Sequence, residues 1–93
     1  MPKYVVERPL PGAGTLPDDE VQAISQTSCE VLDAMSGRAQ WLESFVTDDK
    51  LYCVYVADDE PTVREHAATG GFPCTEVNRV RRIIDPTTAE AAT

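Results

Sequence analysis

Two β-rich runs, residues 40–47 (Gln-Trp-Leu-Glu-Ser-Phe-Val-Thr) and 50–57 (Lys-Leu-Tyr-Cys-Val-Tyr-Val-Ala), are separated only by Asp48-Asp49. A two-residue connection between such runs predicts a hairpin with Thr47 opposite Lys50. Counting back from the turn puts Phe45 opposite Tyr52, Glu43 opposite Val54 and Trp41 opposite Val56. The other face pairs Ser44 with Cys53 and Leu42 with Tyr55. Both faces are largely apolar, so both are expected to be covered. A helix layer covers one of them; the simplest cover for the other is a second subunit.

The flanking segments supply the helices. Residues 3–8 read as a strand that stops at Pro9, which has no N–H for a ladder. Pro9 to Pro17 is a turn-rich loop with two glycines and three prolines, where a binding loop can sit. A helix is expected from Pro17 to Ser36, with Thr15 and Asp18 resembling a capping box. Its apolar face is Val21, Ile24, Ser28, Val31, Leu32 and Met35, and Gly37 ends it. Asp58-Asp59-Glu60-Pro61 announces a second helix, which Gly70-Gly71 stops. Val63, His66, Ala67 and Gly70 share one side of it. Residues 75–84 read as a last strand, and Asp85-Pro86 closes it.

Strand, helix, strand, strand, helix, strand is the split βαβ order. The expectation is an α+β, ferredoxin-like domain over residues 1–86: a four-stranded antiparallel sheet with two helices on one face. Residues 87–93 are expected to be a flexible tail. A chain of 93 residues buries only about 60–65% of its unfolded surface, so a homodimer of the dimeric α+β barrel type would add stability.

Charge and cysteine usage exclude several functions. Eight Lys+Arg against 16 Asp+Glu give a net charge of −8, a poor match to nucleic acid. Arg64, Arg79, Arg81 and Arg82 read as solvated positions rather than a binding patch. No apolar run approaches the ~20 residues of a membrane span. The opening MPKYVVERPL has neither the cationic leader nor the apolar stretch of a signal peptide. Cys29, Cys53 and Cys74 are odd in number and widely spaced, which argues against a disulfide framework. The expected compartment is the cytoplasm.

Certain stretches resemble a known family. Tyr4-Val5-Val6-Glu7-Arg8, Trp41 with Ser44, and Asp49-Lys50-Leu51-Tyr52-Cys53-Val54-Tyr55 belong to the match. So do Glu65-His66-Ala67, Gly71-Phe72-Pro73 and Ile84-Asp85-Pro86. Together they are similar to a small bacterial family of nickel-binding proteins, long classed as a domain of unknown function. The resemblance implies a ferredoxin-like fold, a homodimer, and nickel sequestration or detoxification rather than catalysis. Cys74, after the Gly-Phe-Pro turn, stands where a small residue is expected, and Cys29 lies on the first helix.

In that light His66, the single histidine, is the candidate nitrogen ligand for a divalent metal. Glu7 lies within an apolar first strand, and Glu43 lies between Trp41 and Phe45; both are candidate oxygen ligands. Together they would form an N/O nickel site in a dimer cleft, with water completing the shell. The acid pairs Asp18-Asp19, Asp48-Asp49 and Asp58-Asp59 lack a calcium-loop ladder and read as helix starts and a turn. The alternative is a pocket on the open sheet face for a small apolar ligand. Trp41, Ser44, Tyr52, Cys53 and Tyr55 would line it, either as a binding protein or as a cofactor-free enzyme with His66 as acid or base. No nucleophile elbow or phosphate-binding glycine motif is present.

Overall fold

The computed structural model describes residues 1–90. Four strands and two main helices alternate as the sequence order requires. They are β1 (Lys3–Pro9), α1 (Asp18–Ala34), β2 (Ala39–Val46), β3 (Lys50–Ala57), α2 (Glu60–Gly70) and β4 (Glu76–Arg79). The sheet order is β2-β3-β1-β4, and every neighbouring pair is antiparallel. Both helices lie on one face, giving the ferredoxin-like α+β architecture.

Alternation along β1 sorts side chains between the two faces. Tyr4, Val6 and Arg8 are buried against the helices, while Lys3, Val5 and Glu7 turn the other way. Their partners on β3 follow: Tyr55 and Cys53 face the helices, Val54 and Tyr52 do not. The core is Tyr4, Val6, Met35, Ala39, Cys53, Tyr55, Ala57 and Val63, with Val31 and Leu32 of α1 packed on it. Burial of these aliphatic and aromatic side chains, at roughly 25 cal/mol per Å² of apolar surface, is the main force closing the domain.

The helix ends depart in part from expectation. Thr15 does not cap α1. It sits in a short 3-10 turn, Ala13–Thr15, and its hydroxyl donates to the Gly12 carbonyl at 2.9 Å. Pro17 occupies the cap position, and Asp18, Asp19 and Glu20 supply negative charge to the positive end of the helix. At α2 the Asp59 carboxylate accepts from the Thr62 backbone N–H at 2.9 Å, a true N-cap. Gly71 ends α2 in the left-handed region, at φ 71°.

The last strand is shorter than expected. The run 75–84 pairs only over Glu76–Arg79, with Val80 adding one bond to the Lys3 carbonyl at 2.8 Å. β1 begins at Lys3, so residues beyond Val80 run past the end of the only strand that can pair with them. Ile83 and Ile84 are consequently exposed. Of the expected tail, 87–93, residues 87–89 join Pro86 in a 3-10 turn capped by Asp85, and 91–93 lie outside the described residues.

Candidate functional site

The hairpin forms with its turn at Asp48-Asp49; the Thr47 N–H donates to the Lys50 carbonyl at 2.9 Å. Ser44 faces Cys53 and Glu43 faces Val54, as counted. Beyond that the register shifts between Trp41 and Glu43, and Trp41 stands opposite Tyr55 rather than Val56. Leu42 is the extra residue of a β-bulge. The bulge reverses the sidedness of Trp41, which turns inward beneath α1. There its indole N–H donates to Ser44 Oγ at 2.9 Å.

This placement builds a cavity of about 510 Å³ between α1 and the sheet. Small side chains leave the space: Ser28 on α1, Ser44 on β2 and Cys53 on β3 all line it. Larger apolar groups close it, among them Ile24, Trp41, Leu51 and Phe72. Trp41, Ser44, Cys53 and Tyr55 all line this one cavity. Two corrections apply. The pocket lies on the helix side of the sheet, not on its open face. Tyr52 is not part of it, because pairing with Glu7 and Phe45 puts it on the opposite face.

Sequence reasoning missed Arg8. It follows two buried β1 residues at a spacing of two, so its inward direction was legible once the strand was recognised. Its residue exposure is only 4%. One terminal nitrogen donates to the Pro73 carbonyl at 2.7 Å, the other to Tyr55 Oη at 3.2 Å. The guanidinium carbon also lies 5.5 Å from the Phe72 ring centroid and 5.8 Å from that of Tyr55. Burial works against its charge, but Tyr55 and Cys53 favour the cation, and its pKa stays above its ordinary value. Burial raises the pKa of Tyr55, against the opposing pull of Arg8, so its hydroxyl remains a proton donor.

His66 sits behind this wall. It is 1% exposed, wedged between the rings of Tyr55 and Phe72 at centroid separations of 5.2 and 5.4 Å. Nε2 lies 3.2 Å from Ser28 Oγ, and Nδ1 is buried without a hydrogen-bond partner among the described residues. Burial, and secondarily the Arg8 cation, depress its pKa below the ordinary 6.5, so the ring is neutral.

The expected metal ligands are not brought together. Glu7 and Glu43 lie on the sheet face turned away from the helices, while His66 is buried on the helix side. One sheet separates them, so the three cannot share a metal within one copy. Among the described residues no three His, Cys, Asp or Glu side chains form a metal cage. Glu7 is engaged with Lys50 at 2.6 Å. Its cross-strand neighbour on the same face is Glu76 of β4, a second carboxylate that sequence reasoning did not single out. Cys29, Cys53 and Cys74 are free thiols. Asp48 and Asp49 are held by the β1–α1 loop: Gly14 N–H donates to the Asp48 carbonyl and Gly12 N–H to Asp49 Oδ1, each at 3.0 Å.

Fold and site define a small ferredoxin-like domain with a cavity beneath its first helix. The chain belongs to the nickel-responsive SCO4226-like family, whose family model matches residues 4–80. Among solved structures it is similar to that of SCO4226 from Streptomyces coelicolor A3(2). The TM-score is 0.74 at 12% identity, over 88% of this chain and 99% of the other. At that identity the likeness establishes the fold. No curated protein matches the sequence. Among the described residues no helix is long and apolar enough to cross a membrane.

Proposed function

We propose that this chain is a nickel-sequestering protein that works as a homodimer in the cytoplasm, taking the ion as cargo between two copies. Membership of a nickel-responsive family is the observation that carries the reading. Among the described residues one copy alone holds no cage, so on this reading the ligands are pooled between two. The sheet face turned from the helices is where pooling is simplest, because two sheets packed face to face give a symmetric interface. On that face Glu7 and Glu76 stand opposite each other on adjacent strands, with Glu43 further across. Like charges in direct cross-strand register are unfavourable, and a divalent cation would relieve them. Carboxylate oxygens and water complete an octahedral or tetragonal shell, with His66 outside it. Free thiols accord with a reducing compartment.

The test is calorimetric titration of chelator-treated, tag-free protein with Ni(II), Zn(II) and Co(II). Stoichiometric nickel binding that is lost in the Glu7→Gln/Glu76→Gln double variant and kept in His66→Gln supports the reading. Absence of heat, or equally weak binding of all three metals, overturns it.

A second reading is favoured by the cavity itself. Its volume, about 510 Å³, lies in the range of small-molecule sites, and its wall is mostly apolar with a few polar groups. On this reading the domain binds a small apolar molecule beneath α1. His66 is screened from that molecule by Ser28, Tyr55 and Phe72, which favours a binding role over catalysis.

A further inference from the structure

Arg8 is a buried cation without a counter-ion among the described residues. Among the described residues the ion pairs are Arg38–Glu65, Lys50–Glu7 and Arg64–Glu60; none involves Arg8. An isolated buried charge is costly unless paired or well hydrogen-bonded. Arg8 has five N–H donors; Pro73 and Tyr55 take two, and the Cys53 thiol is a further, weak partner. Two aromatic rings supply only weak compensation.

The surroundings are chosen against a protein anion. This chain holds 16 Asp+Glu and a net charge of −8, yet no Asp or Glu lines the cavity. Arg8 is also the sole charged residue in that wall. The hydroxyls of Ser25 and Thr27 are turned back onto helix carbonyls, at 2.9 and 3.1 Å, and Ser44 accepts from Trp41. Tyr55 differs. Its oxygen accepts from Arg8, and the Ser28 hydroxyl, which also lies against His66 Nε2, is its other polar neighbour. One guanidinium and one phenol hydroxyl thus sit beside each other, with Ser28 nearby, in a mostly apolar space.

We propose that this cavity binds a small monocarboxylate with an apolar body, its carboxylate held by Arg8 and the Tyr55 hydroxyl. The inference rests on the second reading above and names its ligand class. Guanidinium and carboxylate match as a planar, charge-assisted pair. A single cation suits a single negative charge. Ile24, Leu51 and Phe72 in the wall suit an aromatic or branched aliphatic body.

Trp41 is the single tryptophan and lines the cavity, so its fluorescence reports on occupancy. Tag-free, chelator-treated protein is titrated with phenylacetate, isovalerate and the neutral amide phenylacetamide. The expected result is saturable change with the acids and at least tenfold weaker binding of the amide. Arg8→Met should lose the preference for acid over amide while keeping amide binding. Tyr55→Phe, which keeps the ring, should weaken the acids several-fold if Arg8→Met does not fold. Equal binding of phenylacetate and phenylacetamide overturns the inference but leaves the cavity as an apolar site. Binding of none of the three overturns both.

Discussion

The Trp41 indole N–H donates to Ser44 Oγ at 2.9 Å across the bulge at Leu42. Three residues apart on a regular strand, the two side chains would point to opposite faces. The extra residue brings them to the same side, and the hydrogen bond closes one wall of the cavity.

Removing that acceptor tests the arrangement. Ser44→Ala leaves a half-buried indole N–H without its partner and should cost about 1 kcal/mol. Urea unfolding should show a lower midpoint with an unchanged slope. The Trp41 emission maximum should shift, because the ring loses its anchor.

His66 makes stability depend on pH. Its imidazole is neutral in the fold, with a pKa held below 6.5 by burial and by the Arg8 charge. The unfolded chain therefore binds a proton that the native state refuses between the native pKa and 6.5. Stability should rise with pH across that interval and fall as the solution is acidified through it. Chemical denaturation at steps from pH 7.5 to about 5.5 reads this slope. In His66→Gln the slope over the same interval should flatten; an unchanged slope would assign it to other groups.

Gly71 holds the C-terminal end of α2 with φ +71°, and a Cβ there would meet nothing within 4 Å. The cost of Gly71→Ala is thus backbone strain alone, about 1 kcal/mol. Thermal unfolding should show a modest loss of Tm. Gly70→Ala is a different case, since its Cβ would lie 2.3 Å from the Phe72 ring. That ring flanks both His66 and Arg8, so phenylacetate binding as well as stability should change.

Lys50 partly offsets the charge of the Glu7–Glu76 pair. It pairs with Glu7 at 2.6 Å, and its pKa is raised by Glu7 first, with Glu76 contributing less. Lys50→Met should lower Tm at low ionic strength, and the loss should shrink in high salt as the Glu7–Glu76 repulsion is screened. If the nickel reading holds, the same variant should bind Ni(II) at least as tightly as the parent chain, because a competing cation is gone. Weaker nickel binding in Lys50→Met would count against a site at this pair.

Much of the fold could be read from local pattern. Alternation marks β1 and β3, and spacing of three and four marks both helices. Asp59 and Gly71 mark the ends of α2 through capping chemistry. Trp41, Ser44, Cys53 and Tyr55 stood out by aromatic bulk and small polar tips, but the pattern put their pocket on the open sheet face and Trp41 on the other side of the hairpin. Arg8 was harder: a charged residue in a strand ordinarily faces water, and only two layers of structure reveal that this one does not. The trio His66, Glu7 and Glu43 failed to converge because the sheet stands between them.

The sequence alone determined the order of elements, the hairpin turn and the apolar faces, because these depend on backbone preferences and periods of a few residues. Tertiary structure decided the sidedness of Trp41, since a one-residue bulge inverts a period of two without changing composition. It decided the length of β4, which ends where β1 has no more backbone to offer. It also placed Arg8 beside Tyr55, out of every ion pair among the described residues, a relationship between residues 47 positions apart that only packing can create.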